Sequence, residues 1–350
     1  MLPYIVFIIL LLICYYKRWP MGMIGIVILF AALRYDVGWD YNMYCHIVRS
    51  PIEWNNEDTS RFSFPWRELF RFAHEYNTPH FAIILPNIIT YIILYCGLSL
   101  LKMKKRQKVD AIFVYVMWYE LYLGSFSIIR QEISMSLGFL LFALLQRKKF
   151  LVSIIVLLLA SWLHSSASVL IILYPVYLLR NKLNVKWVCI STVVIFFAVT
   201  YASYLLTNLS FIDMSKYEDY LKPSDNTGGK IIYVNILLSA YLILVFYRSK
   251  RLSAVDKQCY FLTITSLIGN VAIYFLGLST VLGRIFSYFV IFLIPILLSS
   301  LHIFKGAPKI KPVAISALVT FFFAYLYITQ GGEKLASSGY LPYKFILENL

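Results

Sequence analysis

The sequence predicts an all-α polytopic membrane protein, with about twelve transmembrane helices in a single multi-pass domain, 1–350. Three observations lead there. Hydrophobic residues make up 60% of the chain and charged ones only 14%, against about 25% charged residues in soluble domains. Apolar runs of roughly fifteen to twenty residues recur from one end to the other, the length an α-helix needs to cross a bilayer. Charges collect between these runs instead of within them.

Taken in order, the runs fall near 2–16, 21–33, 81–101, 109–123, 129–145, 150–163, 166–179, 186–206, 231–247, 258–278, 284–304 and 312–328. Every second connection is basic: Lys17-Arg18, then 102–108, 147–149, 180–186, 248–257 and 305–311, which together hold 20 of the 32 Lys and Arg. By the positive-inside rule these connections are cytoplasmic, so both termini and the 34–80 segment are expected outside. The net charge of +15 then reports topology, and no nucleic-acid partner is expected. The first run has no charged lead and no small-residue cleavage site, so it is expected to be retained as a span.

Two outer segments are long enough to hold structure. The 34–80 loop carries Trp54, Phe62, Phe64, Trp66, Phe70 and Phe72 and five Arg but no Lys. Its stretch Trp66 to Ala73 predicts an amphipathic helix in the interface. The second segment, 207–230, predicts a short helix over Lys216 to Leu221 followed by a turn at Pro223 to Gly229. The tail from Gln330 to Leu350 is amphipathic and expected outside. Cys14, Cys45, Cys96, Cys189 and Cys259 show no paired spacing, so no disulfide framework is expected.

A charge at mid-bilayer costs roughly 2.5–3.5 kcal/mol on insertion scales, so charges at span ends stand out. Arg34 ends the second run, Arg130 begins the fifth, His164 ends the sixth and Arg284 begins the eleventh. The expected topology puts all four at the outer face. Each arginine alone is explained equally by snorkelling to headgroups. Together they suit an anionic ligand, because guanidinium keeps its charge and offers fork-shaped donors to phosphate.

An outer site can reach a lipid-linked diphosphate, and arginine can stabilise a diphosphate leaving group without a metal. Transfer of a sugar also needs a base. Asp40, Asp36 and His164 are the candidates, although Asp40 equally suits the cap of a helix starting near Tyr41, and His164 a structural histidine. The sequence has no HExxH, CxxC pair, Asp-x-Asp or P-loop, so neither a metal nor a cofactor is expected.

Arg34-Tyr35-x-x-Gly38-x-Asp40-Tyr41-x-x-Tyr44, with Ile129-Arg130-Gln131 opening a span, His164 closing the next and Arg284 near Tyr288, resembles the EpsG family of Wzy-like polysaccharide polymerases. The resemblance implies a bacterial enzyme joining undecaprenyl-diphosphate-linked oligosaccharide repeat units into O-antigen, capsule or exopolysaccharide at the outer face of the cytoplasmic membrane. It also implies, by analogy with similar lipid-dependent glycosyltransferases, a GT-C-like bundle.

In that frame Arg130 and Arg284 hold the donor diphosphate, Arg34 organises the loop or assists them, and Asp40 or His164 is the base. Asp36, Tyr41, Tyr44, Gln131 and Glu132 are candidate sugar or loop contacts, with Glu132 standing where a small or apolar residue is expected. Partners would be the lipid-linked donor and acceptor, membrane lipids and a chain-length regulator. A polysaccharide ligase would use similar residues. A lipid-linked sugar flippase would instead place charge along a path through the midplane, which these spans lack.

Overall fold

The computed structural model describes residues 1–50, 62–208, 229–249, 252–275, 280–304, 307–329 and 339–345. The expected helix over 216–221, most of the 207–230 loop, and the tail at 330–338 and 346–350 lie outside the described residues. The chain divides into two compact units, Met1–Ile171 with Pro308–Leu350, and Ile172–Ala307.

The first unit begins with α1 (Leu2–Tyr16) and α2 (Pro20–Ala32), each with proline in its first turn, where a missing N–H costs nothing. A two-residue strand, β1 (Arg34–Tyr35), follows. Next come α3 (Trp39–Arg49) and α4 (Phe64–Glu75). Four bundle helices follow, α5 (Phe81–Leu100), α6 (Lys105–Met117), α7 (Ile129–Gln146) and α8 (Phe150–Leu163). The second unit holds α9 (Leu173–Leu178), α10 (Val185–Asn208), α11 (Gly229–Arg248), α12 (Ala254–Phe275) and α13 (Thr280–Val290). The chain closes with α14 (Ala307–Thr329) and β2 (Lys344–Phe345). Among the described residues three helices, Phe81–Leu100, Ala254–Phe275 and Pro308–Tyr327, are by themselves long and apolar enough to cross a bilayer, and seven shorter apolar helices accompany them.

Three of the expected spans are interrupted. The run 109–123 stops being α-helical at Met117, and 118–128 continues as turns with one 3-10 turn at Gly124–Phe126. Non-helical backbone survives there because it is buried in protein and its amides are used locally, as in Ser125 N–H to the Leu121 carbonyl at 2.8 Å. The run 166–179 starts as 3-10 helix over Ser165–Ile172, ahead of Pro175, which has no N–H to continue the ladder. The run 284–304 turns to 3-10 and turn structure after Val290, around Pro295.

In the first unit, aromatics fasten the C-terminal segment to α1 and α2. The Tyr4 hydroxyl donates to the Tyr340 carbonyl at 2.8 Å, and the Tyr343 hydroxyl donates to the Phe30 carbonyl. The Tyr343 ring stacks on Phe30 at 4.1 Å, and Phe30 stacks on Phe7 at 4.3 Å. β2 thereby reaches β1 and pairs antiparallel with it, Arg34 opposite Phe345. Such aromatic pairs add about 0.5–1.5 kcal/mol each beyond burial.

The loop helix α4 buries Trp66, Phe70 and Ala73, spaced i, i+4, i+7, and leaves Arg67 and Arg71 exposed. Its apolar face joins Tyr44, Cys45, Phe62, Ile83, Ile129 and Ile133 in one cluster beside the start of α7. In the second unit α12 meets α13 closely: a Cβ at Gly269 would sit 2.3 Å from the Phe286 ring.

Gly38 is the turn that lets the Arg34–Tyr44 motif fold. Its φ is +92°, and a Cβ there would stand 2.2 Å from the Phe126 carbonyl oxygen, a backbone atom that cannot swing away. Gly38→Ala should therefore cost on the order of 3 kcal/mol from backbone strain plus clash. The expected outcome is a lower Tm and reduced yield of the purified protein, whereas Gly25→Ala, where a Cβ meets nothing within 4 Å, should leave the Tm unchanged.

Candidate functional site

Asp40 sits in the first turn of α3, whose N-cap is Gly38 and has no side-chain cap. The expectation that Asp40 caps its own helix is therefore corrected. Its Oδ2 instead accepts from the backbone N–H of Ile129 at 3.0 Å, the first residue of α7, 89 positions away. A carboxylate on an orphan first-turn N–H is a charge-assisted bond at the positive end of a helix dipole.

The next residue is Arg130. Its guanidinium lies over the Phe62 ring at 4.3 Å, a cation–π contact on the residue that leads into α4. Tyr44 is fully buried and faces both Asp40 and Arg130. Burial, and then the Asp40 carboxylate, hold the Tyr44 phenol well above its usual range, while Arg130 pulls it down. Asp40, Arg130 and Tyr44 thus share one electrostatic neighbourhood where α3 meets the start of α7.

His164 closes α8 in extended backbone, with Nδ1 2.8 Å from the Ser166 hydroxyl. The preceding carbonyl, Leu163, accepts from the Trp66 indole N–H at 3.0 Å and from the Ser63 hydroxyl at 3.5 Å. α4 is thereby latched to the end of α8, and the same helix borders both His164 and the Phe62–Arg130 contact.

Arg34 has a different setting. It is 1% exposed. Its Nη1 donates to the Ala31 carbonyl at 2.8 Å and to Asn87 Oδ1 at 3.2 Å, and Nε donates to the Val37 carbonyl at 3.0 Å. The guanidinium lies 4.4 Å from the Phe126 ring centroid, and Nη2 has no partner among the described residues. Asn87 follows Pro86 inside α5, and its amide N–H also donates to the Ile83 carbonyl at 2.6 Å, steadying the ladder beside the proline. Arg34 is placed to hold β1, the Gly38 turn and α5 together.

The remaining candidates are likewise engaged with protein. Asp36, at φ +52°, accepts from the Asn42 amide at 2.6 Å and lies 3.6 Å from the Lys344 ammonium. Tyr41 is buried, with its hydroxyl hydrogen-bonded to His80 Nδ1. Gln131 and Glu132 are each 1% exposed inside the bundle, and the Tyr115 hydroxyl donates to Glu132. Arg284 belongs to the second unit, exposed in α13. Among the described residues no three His, Cys, Asp or Glu side chains gather as a metal-binding group.

Sequence reading missed Phe62, Trp66, Asn87 and His80 as site-building residues. Asn87 had a readable signal, a lone amide beside proline in an apolar span. The pairing of Trp66 with Leu163 had none.

These features define a class: a multi-pass helical membrane protein with an arginine and a carboxylate set where one helix begins and a loop helix packs over it. More particularly, the chain belongs to the EpsG family, whose match covers residues 17–345, nearly the whole chain. Membership supports a polysaccharide-polymerase type of activity. No curated protein and no solved structure matches the chain.

His80 gives this region a pH dependence. Burial, and then the Arg49 cation, lower its pKa from the ordinary 6.5. A histidine depressed in the fold contributes stability that is complete above 6.5 and is lost as pH falls below it, since the unfolded chain then binds the proton first. The Tm of wild-type protein in detergent should fall between pH 7 and pH 5, and His80→Gln should flatten that slope; parallel slopes would contradict the assignment.

Proposed function

We propose that this protein is a glycosyltransferase that polymerises undecaprenyl-diphosphate-linked oligosaccharide repeat units into a surface polysaccharide, at the outer face of the bacterial cytoplasmic membrane. The reading rests on family membership together with one observation: Asp40 is docked on the first amide of α7, immediately before Arg130. In this reading twelve spans cross the bilayer in a GT-C-like bundle, with the 34–80 segment outside.

The chemistry follows from the two side chains. The anomeric C–O bond to the donor diphosphate breaks, and the pair of electrons leaves on phosphate oxygen. The Arg130 guanidinium meets that developing charge with fixed donors, and the adjacent start of α7 adds its positive dipole end. An acceptor sugar hydroxyl forms the new bond to the same carbon, and its proton passes to the Asp40 carboxylate, or to His164 at the rim. Phe62 holds Arg130 by its ring face, and Arg34 acts on the site by holding the Gly38 turn, not by touching phosphate.

Arg130→Ala should abolish polymer, a loss of at least ~10²-fold as expected for removing a transition-state charge partner, with the protein still produced and folded and the Tm lowered only by the lost contact with Phe62. In cells, single repeat units should remain attached to the acceptor. A normal polymer ladder would refute the assignment, and loss of every attached unit would favour a ligase.

A further inference from the structure

At the opposite kind of connection, the basic one, three segments of the first unit meet around a cavity of about 240 Å³. The end of α1 contributes Tyr15 and the turn after it Arg18, the start of α6 contributes Arg106 and Asp110, and the first half of α14 contributes Lys311 and Ile315. Nothing in the polymerase reading uses it.

The floor of the cavity is built. Asp110 accepts from the Tyr15 hydroxyl at 2.7 Å and from the Lys311 ammonium at 2.6 Å, and both side chains of that ion pair are only 17% exposed. The pair is thus internally satisfied. Arg18 and Arg106 form no ion pair among the described residues, so three cations face one carboxylate and the cavity carries an excess of two positive charges. Arg18 adopts φ +54° in the turn after α1, a left-handed conformation unusual for arginine. Two helices, α6 and α14, also begin here, so their positive dipole ends reinforce the field.

The surroundings point to a membrane source for the anion. Tyr16, which lines the cavity, and Val313, next in the chain to the lining residue Pro312, are each 68% exposed. The Pro308–Tyr327 span above it is only 17% buried by protein. An apolar track of that kind suits acyl chains, with the polar cavity at headgroup level. We propose that this cavity binds the phosphate of an anionic membrane phospholipid, held by Arg18, Arg106 and Lys311.

The test uses full-length protein in mixed micelles, titrated with phosphatidylglycerol, phosphatidylcholine or inorganic phosphate, with bound lipid read by native mass spectrometry and protection by Tm. Phosphatidylglycerol should bind wild type and raise its Tm. Arg18→Asn, which suits the left-handed turn, and Arg106→Gln should each weaken that binding about fivefold, and the pair together about 25-fold, as one cation each implies. Arg106→Lys, a control that keeps the charge, should stay within about twofold of wild type. Equal affinity of wild type and double variant would overturn the site, as would equal protection by phosphatidylcholine. Inorganic phosphate protecting as well as phosphatidylglycerol would overturn the lipid in favour of a soluble phosphate ligand.

Discussion

The hydrogen bond from the Ile129 amide to the Asp40 carboxylate is the constraint on which the candidate site of this molecule is built. It joins a loop helix to the first turn of a bundle helix across 89 residues, and it fixes where Arg130 emerges. Without it α3 would be held by apolar packing, which is tolerant of sliding, and by the hydrogen bonds of Tyr41 with His80 and of the Val48 carbonyl with His74, neither of which reaches α7. With it, the carboxylate is aimed at one amide at the end of one helix. An orphan first-turn N–H is satisfied in the same stroke, in a region where burial makes an unmet donor costly.

Other contacts serve that junction. Gly38 lets the chain turn into α3 against the Phe126 carbonyl. Arg34 binds the turn to α2 and to Asn87 on α5, and the C-terminal Tyr343 lies against the same core. From the other side, Trp66 ties α4 to the last carbonyl of α8, and Phe62 closes over Arg130. A buried arginine that meets three oxygens is worth keeping for geometry: its rigid fork sets three directions at once, which lysine cannot do.

The helices were readable because the bilayer imposes its own length and apolarity on each span, and the ends of α1, α7 and α8 fall within a residue of the apolar runs. The break after Met117 was not readable, since an apolar stretch buried as turns has the same composition as one buried as helix. Asp40 and Arg130 were legible as charges out of place. Their connection was not, because no local pattern in the sequence marks a contact 89 residues apart. Arg34 looked like one more outward arginine. Its burial depends on β2 and on Asn87, both remote in sequence, and of the two roles read for it, organising the loop or assisting the other arginines, its contacts with Ala31, Val37 and Asn87 fit the first.

Asp40 is assigned two tasks, docking on Ile129 and accepting a proton, and comparing Asn with Ala at this position separates them. The decisive measurement is polymer formation from lipid-linked repeat units by purified Asp40→Asn, set beside its Tm and that of Asp40→Ala. The account predicts that Asp40→Asn lowers the Tm by only part of what Asp40→Ala does, because its amide oxygen still accepts the Ile129 N–H without the carboxylate's charge, yet both lose at least ~10²-fold in polymerisation. An Asp40→Asn protein that polymerises at the wild-type rate would contradict it.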